Sequence, residues 1–158
     1  MTAPVSLFPE VEETLRPWAL AKVVREPGTM DRAPVKMKAP GDAHRLLAPR
    51  AEAETVEVFY LVALGSQSQV LAVFEISRGT LTSSLVHPRE VFRAAILAGA
   101  AGIIVAHNHP SGDPTPSADD RAVTRQLVDA GRILDIPVYD HVVLAGDRYV
   151  SFAEAGLL

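Results

Sequence analysis

Residues 56–64, VEVFYLVAL, are apolar at nearly every position on both parities. Successive side chains of a strand point to opposite faces, so a run that is apolar on both predicts a strand covered on both sides, as in a sheet between layers of helix. Gly65 ends that strand. The segment 69–77, QVLAVFEIS, reads as its hairpin partner across a turn at 65–68, and 79–87, GTLTSSLVH, reads as a third, more polar strand. Three strands in succession predict an antiparallel meander.

Pro88 suits the first position of a helix over 88–100, in which Val91, Ala95 and Ala98 share a face and Gly99 and Gly102 mark the end. GIIVAH, 102–107, is too short for a helix and β-branched, so it predicts a buried strand that runs straight into HNHPSGDPTPS. A second helix over 118–131 takes Ser117 as its N-cap and Gly131 as its stop. Two further strands, 136–146 and 148–152, are joined by Gly146 and Asp147. Strands before, between and after two helices predict an α/β sandwich with a mixed sheet. Ahead of this body, residues 1–50 carry seven prolines, each of which limits a helix or removes a ladder donor, and they read as a Pro-rich arm before a domain at 51–158. Within the arm, one short helix is predicted after Pro9 and another after Asp42, which caps HRLLA.

At 158 residues with 48% apolar and 22% charged residues, the chain suits one globular core rather than a disordered segment. A net charge of −4 does not support a basic nucleic-acid footprint over the surface as a whole. The longest apolar stretch, 94–106, is broken by Gly99 and Gly102 and falls short of the roughly 18 residues of a membrane span. The acidic N-terminus lacks the pattern of a secretory signal. A soluble, cytoplasmic protein is the expectation. With no cysteine, disulfides, thiolate zinc sites and cysteine nucleophiles are all absent, so a metal must sit on His, Asp or Glu.

His107 and His109 stand two apart in an extended segment, which turns both imidazoles to one side with Cα atoms roughly 6.5–7 Å apart. A third ligand must come from elsewhere. At 100° per residue Asp120 lies on the stripe of Val123 and Leu127 in the following helix, while Asp119 lies at its margin. An inward-facing aspartate needs a partner to offset desolvation, and a metal is one. Two imidazoles and one carboxylate leave a coordination position open, the pattern of catalytic zinc. Such a site also needs a base. Glu57 begins the row of Phe59, Leu61 and Ala63, where burial raises a carboxyl pKa and a nearby cation lowers it; Glu75 and Glu90 are the alternatives.

Other residues have plainer readings. Ser117 with Asp120 fits a capping box. His141 reads first as a strand-end histidine bonded to its neighbour Asp140, second as a support behind the ligands, and last as a ligand itself. His87 reads as a helix-entry residue, His44 as an arm residue, and Arg89 with Arg93 as a solvated face. Ser111-Gly112 reads as a turn whose hydroxyl is available to a substrate.

HNHPSGDPTPSADD resembles the signature of the JAB/MPN (JAMM) zinc metallopeptidases: His-x-His-Pro, six residues, then Ser-x-x-Asp. With HPREVFRAA upstream and DHVVL and YVSF downstream, residues 56–158 are similar to the RadC-like branch of that superfamily. The resemblance implies a three-layer α/β/α sandwich with a cytidine-deaminase-like core, although the deaminase Pro-Cys-x-x-Cys ligands are absent. It makes His107, His109 and Asp120 the ligands of Zn2+, Glu57 the general acid/base, and Ser117 the hydroxyl that helps hold the oxyanion. The reaction it implies is hydrolysis of an amide or isopeptide bond in a peptide or protein substrate, ubiquitin-like conjugates included. Longer RadC-like proteins carry a helix-hairpin-helix-like region; the arm is too short and irregular for one, so the chain resembles a stand-alone catalytic module. Two other function classes stand beside this one. A DNA-repair factor or metal-dependent nuclease is one, because an activated water attacks phosphate too, although HNH nucleases set their histidines in a ββα hairpin. The other is a non-catalytic MPN-type interaction module, a kind that lacks the ligands kept here.

Overall fold

The doubly apolar run forms the strand β1 (Val58–Leu64), and each of its residues is buried. The computed structural model describes residues 35–79 and 86–158. Within them are four further strands, β2 (Val70–Arg78), β3 (Gly102–Asn108), β4 (Val138–Ala145) and β5 (Arg148–Ser151), and three helices, α1 (Pro40–Ala51), α2 (Pro88–Ala98) and α3 (Ala118–Leu134). The strands form one sheet in the order β2-β1-β3-β4-β5. β1 is antiparallel to β2 and β3, β3 is parallel to β4, and β4 is antiparallel to β5, so the sheet is mixed. The parallel pair needs a crossover, which α3 supplies.

Strand parity divides the core in two. Val58, Tyr60, Val62 and Leu64 join Ile104, Ala106, Val142 and Leu144 beneath Ala43, Leu47 and Ala51 of α1. Phe59 and Leu61 turn the other way and join Ile103 and Val105 beneath Val91, Phe92 and Ala95 of α2 and Val123 and Leu127 of α3. Burying each such Val, Leu or Phe contributes about 1.5–3 kcal/mol, and β1 gathers that gain on both faces. The expected three-layer α/β/α sandwich is therefore present.

Several local expectations need correction. Asp42 does not cap a helix that follows it. The helix begins two residues earlier at Pro40, and the Asp42 carboxylate reaches back to accept the backbone N–H of Lys38 at 2.7 Å and of Ala39 at 3.0 Å. Gly131 does not end α3, which runs on to Leu134 and closes at Asp135 in the left-handed region, φ 55°. Gly131 serves close packing instead, because a Cβ there would lie 2.6 Å from the carbonyl oxygen of Ile136. Gly102 opens β3 rather than trailing the helix before it, with the Tyr139 ring lying where its side chain would be. The strand expected at 79–87 falls mostly outside the described residues, as does the helix expected after Pro9. The turn at 65–68 is present, with the Ser68 N–H donating to the Gly65 carbonyl at 2.9 Å. No described helix is long and apolar enough to cross a membrane.

Candidate metal centre

The site lies where β3 ends, on the face of the sheet covered by α2 and α3. The β1–β3 register sets Phe59 opposite His107. Two residues beyond that pair, Glu57 and His109 border one open hollow together with Ser111, Ser117, Asp119 and Asp120. Glu57 thus shares the face of Phe59 and Leu61, as the parity of the run predicts.

Between the two histidines, Asn108 points to the opposite face. Its side-chain oxygen accepts the Val58 N–H at 2.7 Å, and its amide donates to the Val56 carbonyl at 3.0 Å. Those two backbone groups flank Glu57. Asn108 therefore fixes the peptide that carries the candidate base to the end of β3, between the two candidate histidine ligands.

Asp120 is fixed by the start of α3. Ser117 is the N-cap, and its hydroxyl oxygen accepts the Asp120 N–H at 3.0 Å. In return the Asp120 carboxylate accepts the Ser117 N–H at 2.7 Å, which completes a capping box. The same carboxylate, 5% exposed, faces His107 Nε2 at 3.2 Å and His109 Nε2 at 3.6 Å. Nε2 of His107 and Nε2 of His109 are themselves 2.9 Å apart. One donor atom from each of the three residues falls within 4.8 Å of the other two, a group able to hold a metal ion.

The direction of the hydrogen bonds tests whether a cation fits. Nδ1 of His109 lies 2.7 Å from the Asp113 carbonyl oxygen, which only accepts, so a neutral His109 keeps its proton on Nδ1 and presents a bare Nε2 to the site. That lone pair meets a buried carboxylate and a second imidazole nitrogen. Such a concentration of electron pairs calls for a cation at its centre, either a proton or a metal ion. Burial alone raises the Asp120 pKa; with protons on the facing imidazole nitrogens, hydrogen bonds from His107 and His109 outweigh it and hold the carboxyl far below its ordinary range. The bond to Asp120 raises His109 against the effect of burial. A nitrogen-and-oxygen donor set of this kind suits a borderline divalent ion such as zinc.

Of the other residues weighed from the sequence, Asp119 is exposed on the rim. Glu75 is exposed and bonded to Arg78, and Glu90 is bonded to Arg89 and Arg93 on the outside of α2, so neither competes with Glu57. His87 stands at the entry to α2, in the N-cap position but without a side-chain cap bond. His44, read as an arm residue, instead packs on Tyr149 and bonds the Gly146 carbonyl from α1. The carboxylate of Asp140 is directed away from the His141 ring: it bonds the hydroxyl of Ser151 at 2.6 Å and the backbone N–H of His141 and of Ala153. The ring itself lies behind His107, 2.8 Å from its Nδ1, and burial pushes its pKa well down. Asn108 and Thr124 were not singled out from the sequence. Thr124 falls four residues after Asp120 on the same helical stripe, a signal that was present.

Residues 37–157 match the RadC-like JAB domain. A UPF0758 protein of Symbiobacterium thermophilum is 52% identical over 119 residues, covering 75% of this chain and 51% of its own length. A UPF0758 protein of Methanosarcina acetivorans is 42% identical over 123 residues, 78% of this chain and 54% of its own. One from Moorella thermoacetica is 50% identical over 119 residues, 75% and 52% respectively. The chain thus spans about half the length of the curated relatives it matches. With a match over this much of the sequence, and with its paired histidines and helix-capping aspartate gathered at one end of an α/β sandwich, the chain belongs to the family of RadC-like JAB domains.

Proposed function

We propose that this domain is a zinc-dependent metallopeptidase that hydrolyses peptide or isopeptide bonds. The observation that carries the reading is the convergence of His107 Nε2, His109 Nε2 and the Asp120 carboxylate beside a hollow that Glu57 borders. A divalent ion held there supplies two things, polarisation of a carbonyl oxygen and acidification of a water. The remaining work falls to the chain. Glu57 takes the proton from the attacking water and returns it to the leaving amine, the two halves of general acid/base catalysis. Ser117 accepts one backbone N–H through its oxygen, which leaves its hydroxyl proton available to the developing oxyanion. Asn108 holds the backbone on both sides of Glu57, so the proton carrier moves little relative to the ligands.

The lining also bears on substrate class. Glu57, Asp113, Asp119 and Asp120 contribute carboxyl groups to the hollow, and no lysine or arginine is among its lining residues. A phosphodiester would meet like charge there, whereas a neutral amide would not. This favours amide over phosphate chemistry.

The test is metal content by mass spectrometry followed by cleavage. Purified protein is expected to hold about one zinc per chain, and Glu57→Gln to keep it while losing about 10²- to 10⁴-fold in turnover. A proteome-wide comparison of new N-termini and released lysines, with Glu57→Gln as control, supplies the substrate. Zinc-loaded protein that yields no such difference but nicks plasmid DNA through Glu57 would replace this reading with a nuclease.

A further inference from the structure

We infer that Thr124 and His141 are positioning residues whose hydrogen bonds fix His107 in the tautomer that presents a bare Nε2 to the candidate metal position. The inference rests on the metal reading of the site and adds to it two residues outside the ligand set.

The direction of the relay is set at its far end. The Thr124 hydroxyl lies 2.5 Å from the Asp120 carbonyl oxygen, one turn back along α3. A carbonyl only accepts, and a hydroxyl has a single proton, so that proton is committed to Asp120. The same hydroxyl oxygen lies 2.6 Å from His141 Nδ1 and must therefore accept from Nδ1–H. His141 is fully buried, with its ring against Phe59 and Phe152, and its ring nitrogens bond His107 and Thr124. Buried in this way it carries one ring proton, on Nδ1, and its Nε2 is an acceptor. That Nε2 is 2.8 Å from His107 Nδ1, which donates to it. His107 then has its proton at the back of the ring and a bare Nε2 at the front, aimed at His109 and Asp120.

The two histidines thus reach the same state by different routes. A backbone carbonyl, that of Asp113, fixes His109 directly. His107 is fully buried and obtains its orientation through two side chains that lead back to another backbone carbonyl, that of Asp120. Because Asp120 also supplies the carboxylate, the relay closes a ring. The ligand on β3 and the ligand on α3 meet once at the metal position and again behind it, through β4. A change at Thr124 is therefore felt at His107 although the two side chains are not bonded to each other directly.

Thr124→Val keeps the shape of the side chain and removes the hydroxyl, so His141 loses the acceptor that holds its proton on Nδ1. Nitrogen-15 spectra of zinc-free protein at alkaline pH read the tautomer of each histidine without any metal. The wild type is expected to show His107 protonated on Nδ1, and Thr124→Val to show the proton shifted partly or wholly to Nε2, with His109 unchanged. Zinc affinity, measured by chelator competition, is expected to fall about 10- to 100-fold in Thr124→Val, the usual loss when a ligand's supporting partner is removed. Thr124→Ser keeps the hydroxyl and should restore both readouts. A purely packing role predicts the reverse order, since Ser loses a methyl and Val does not. Should Thr124→Val fail to fold, His141→Gln takes its place, because an amide oxygen can accept from His107 and the amide N–H can donate to Thr124, whereas His141→Leu can do neither. Gln that retains zinc affinity while Leu loses it supports the relay. Wild-type His107 with its proton on Nε2, or Thr124→Val with tautomers and affinity unchanged, overturns it. Wild type that shows the relay but takes up no zinc would leave the tautomer assignment standing and remove the metal reading instead.

Discussion

Two aspartates occupy the same place in their helices and do different things. Asp42 in α1 and Asp120 in α3 are each the third helical residue, and each turns its carboxylate back to accept the backbone N–H of the residue before the helix. Both carboxyl groups are held below their ordinary range. Asp42 is partly buried, and its remaining oxygen takes the guanidinium of the exposed Arg45. Asp120 is buried and faces two imidazole nitrogens. In both helices the N-terminus thus holds the carboxylate back against the residue before it. What the free side of that carboxylate meets decides whether the result is a cap or a ligand.

The largest expected difference follows directly. Asp120→Asn keeps a hydrogen-bonding oxygen at the cap and removes the charge from the site. Its zinc affinity is expected to fall beyond the roughly 10- to 100-fold that loss of a supporting residue costs. Asp42→Asn makes the same chemical change in the same helical position and is expected to leave zinc content unaltered. Measuring both by mass spectrometry after dialysis breaks the comparison if the two variants lose metal alike, since a general loosening of the fold would then explain both.

The pair also shows what can be read from a sequence. Asp120 was legible because α3 is amphipathic, so a phase counted from Val123 and Leu127 says which acid turns inward. His107, His109 and Glu57 were legible for the same local reason, the two-residue period of an extended chain. Asp42 is the third residue of α1 rather than its N-cap, three positions from the sequence reading, because Pro40 and Pro49, toward the two ends of α1, hide a helix whose Ala43 and Leu47 are fully buried. Gly131 was misread because glycine marks both a helix end and a close approach, and only the packing of Phe92 and Ile136 tells them apart. The position of His141 behind His107 depends on β3 lying parallel to β4, with Val105 opposite His141. That is a property of strand order, which no local period encodes.

A smaller effect separates the two caps themselves. α3 has a side-chain cap in Ser117, whereas the N-cap of α1 is Ala39, which has none to offer. Ser117→Ala should therefore destabilise the domain by about 1 kcal/mol, with zinc retained, because the backbone N–H of Ser117 still holds the carboxylate of Asp120. Its turnover should fall less than that of Glu57→Gln. The converse change, Ala39→Ser, supplies α1 with the missing half of its box. Ala39 has the extended backbone of an N-cap, φ −149° and ψ 158°, so the serine hydroxyl is expected to add up to about 1 kcal/mol without touching metal or activity. Denaturant midpoints of the two variants should move in opposite directions. Movement in the same direction would mean that the two helix starts are not equivalent after all.

The smallest effect is a pH dependence at Asp42. Its carboxyl lies below the ordinary value of 3.8, first because of the backbone N–H of Lys38 and then that of Ala39, with Arg45 adding less. A group whose pKa is lower in the folded than in the unfolded chain binds its proton more readily when unfolded. Its contribution is therefore complete above the unfolded value and is lost as the pH falls through the folded one. Asp42→Asn has no such charge to lose. The stability difference between wild type and Asp42→Asn should be present at neutral pH, shrink below pH 3.8, and shrink also with added salt, since the carboxylate and Arg45 meet near solvent. Urea midpoints of both proteins across that range measure it. A difference that widened on acidification would mean that the Asp42 carboxyl is stabilised in its protonated form, and its likeness to Asp120 would then end at geometry.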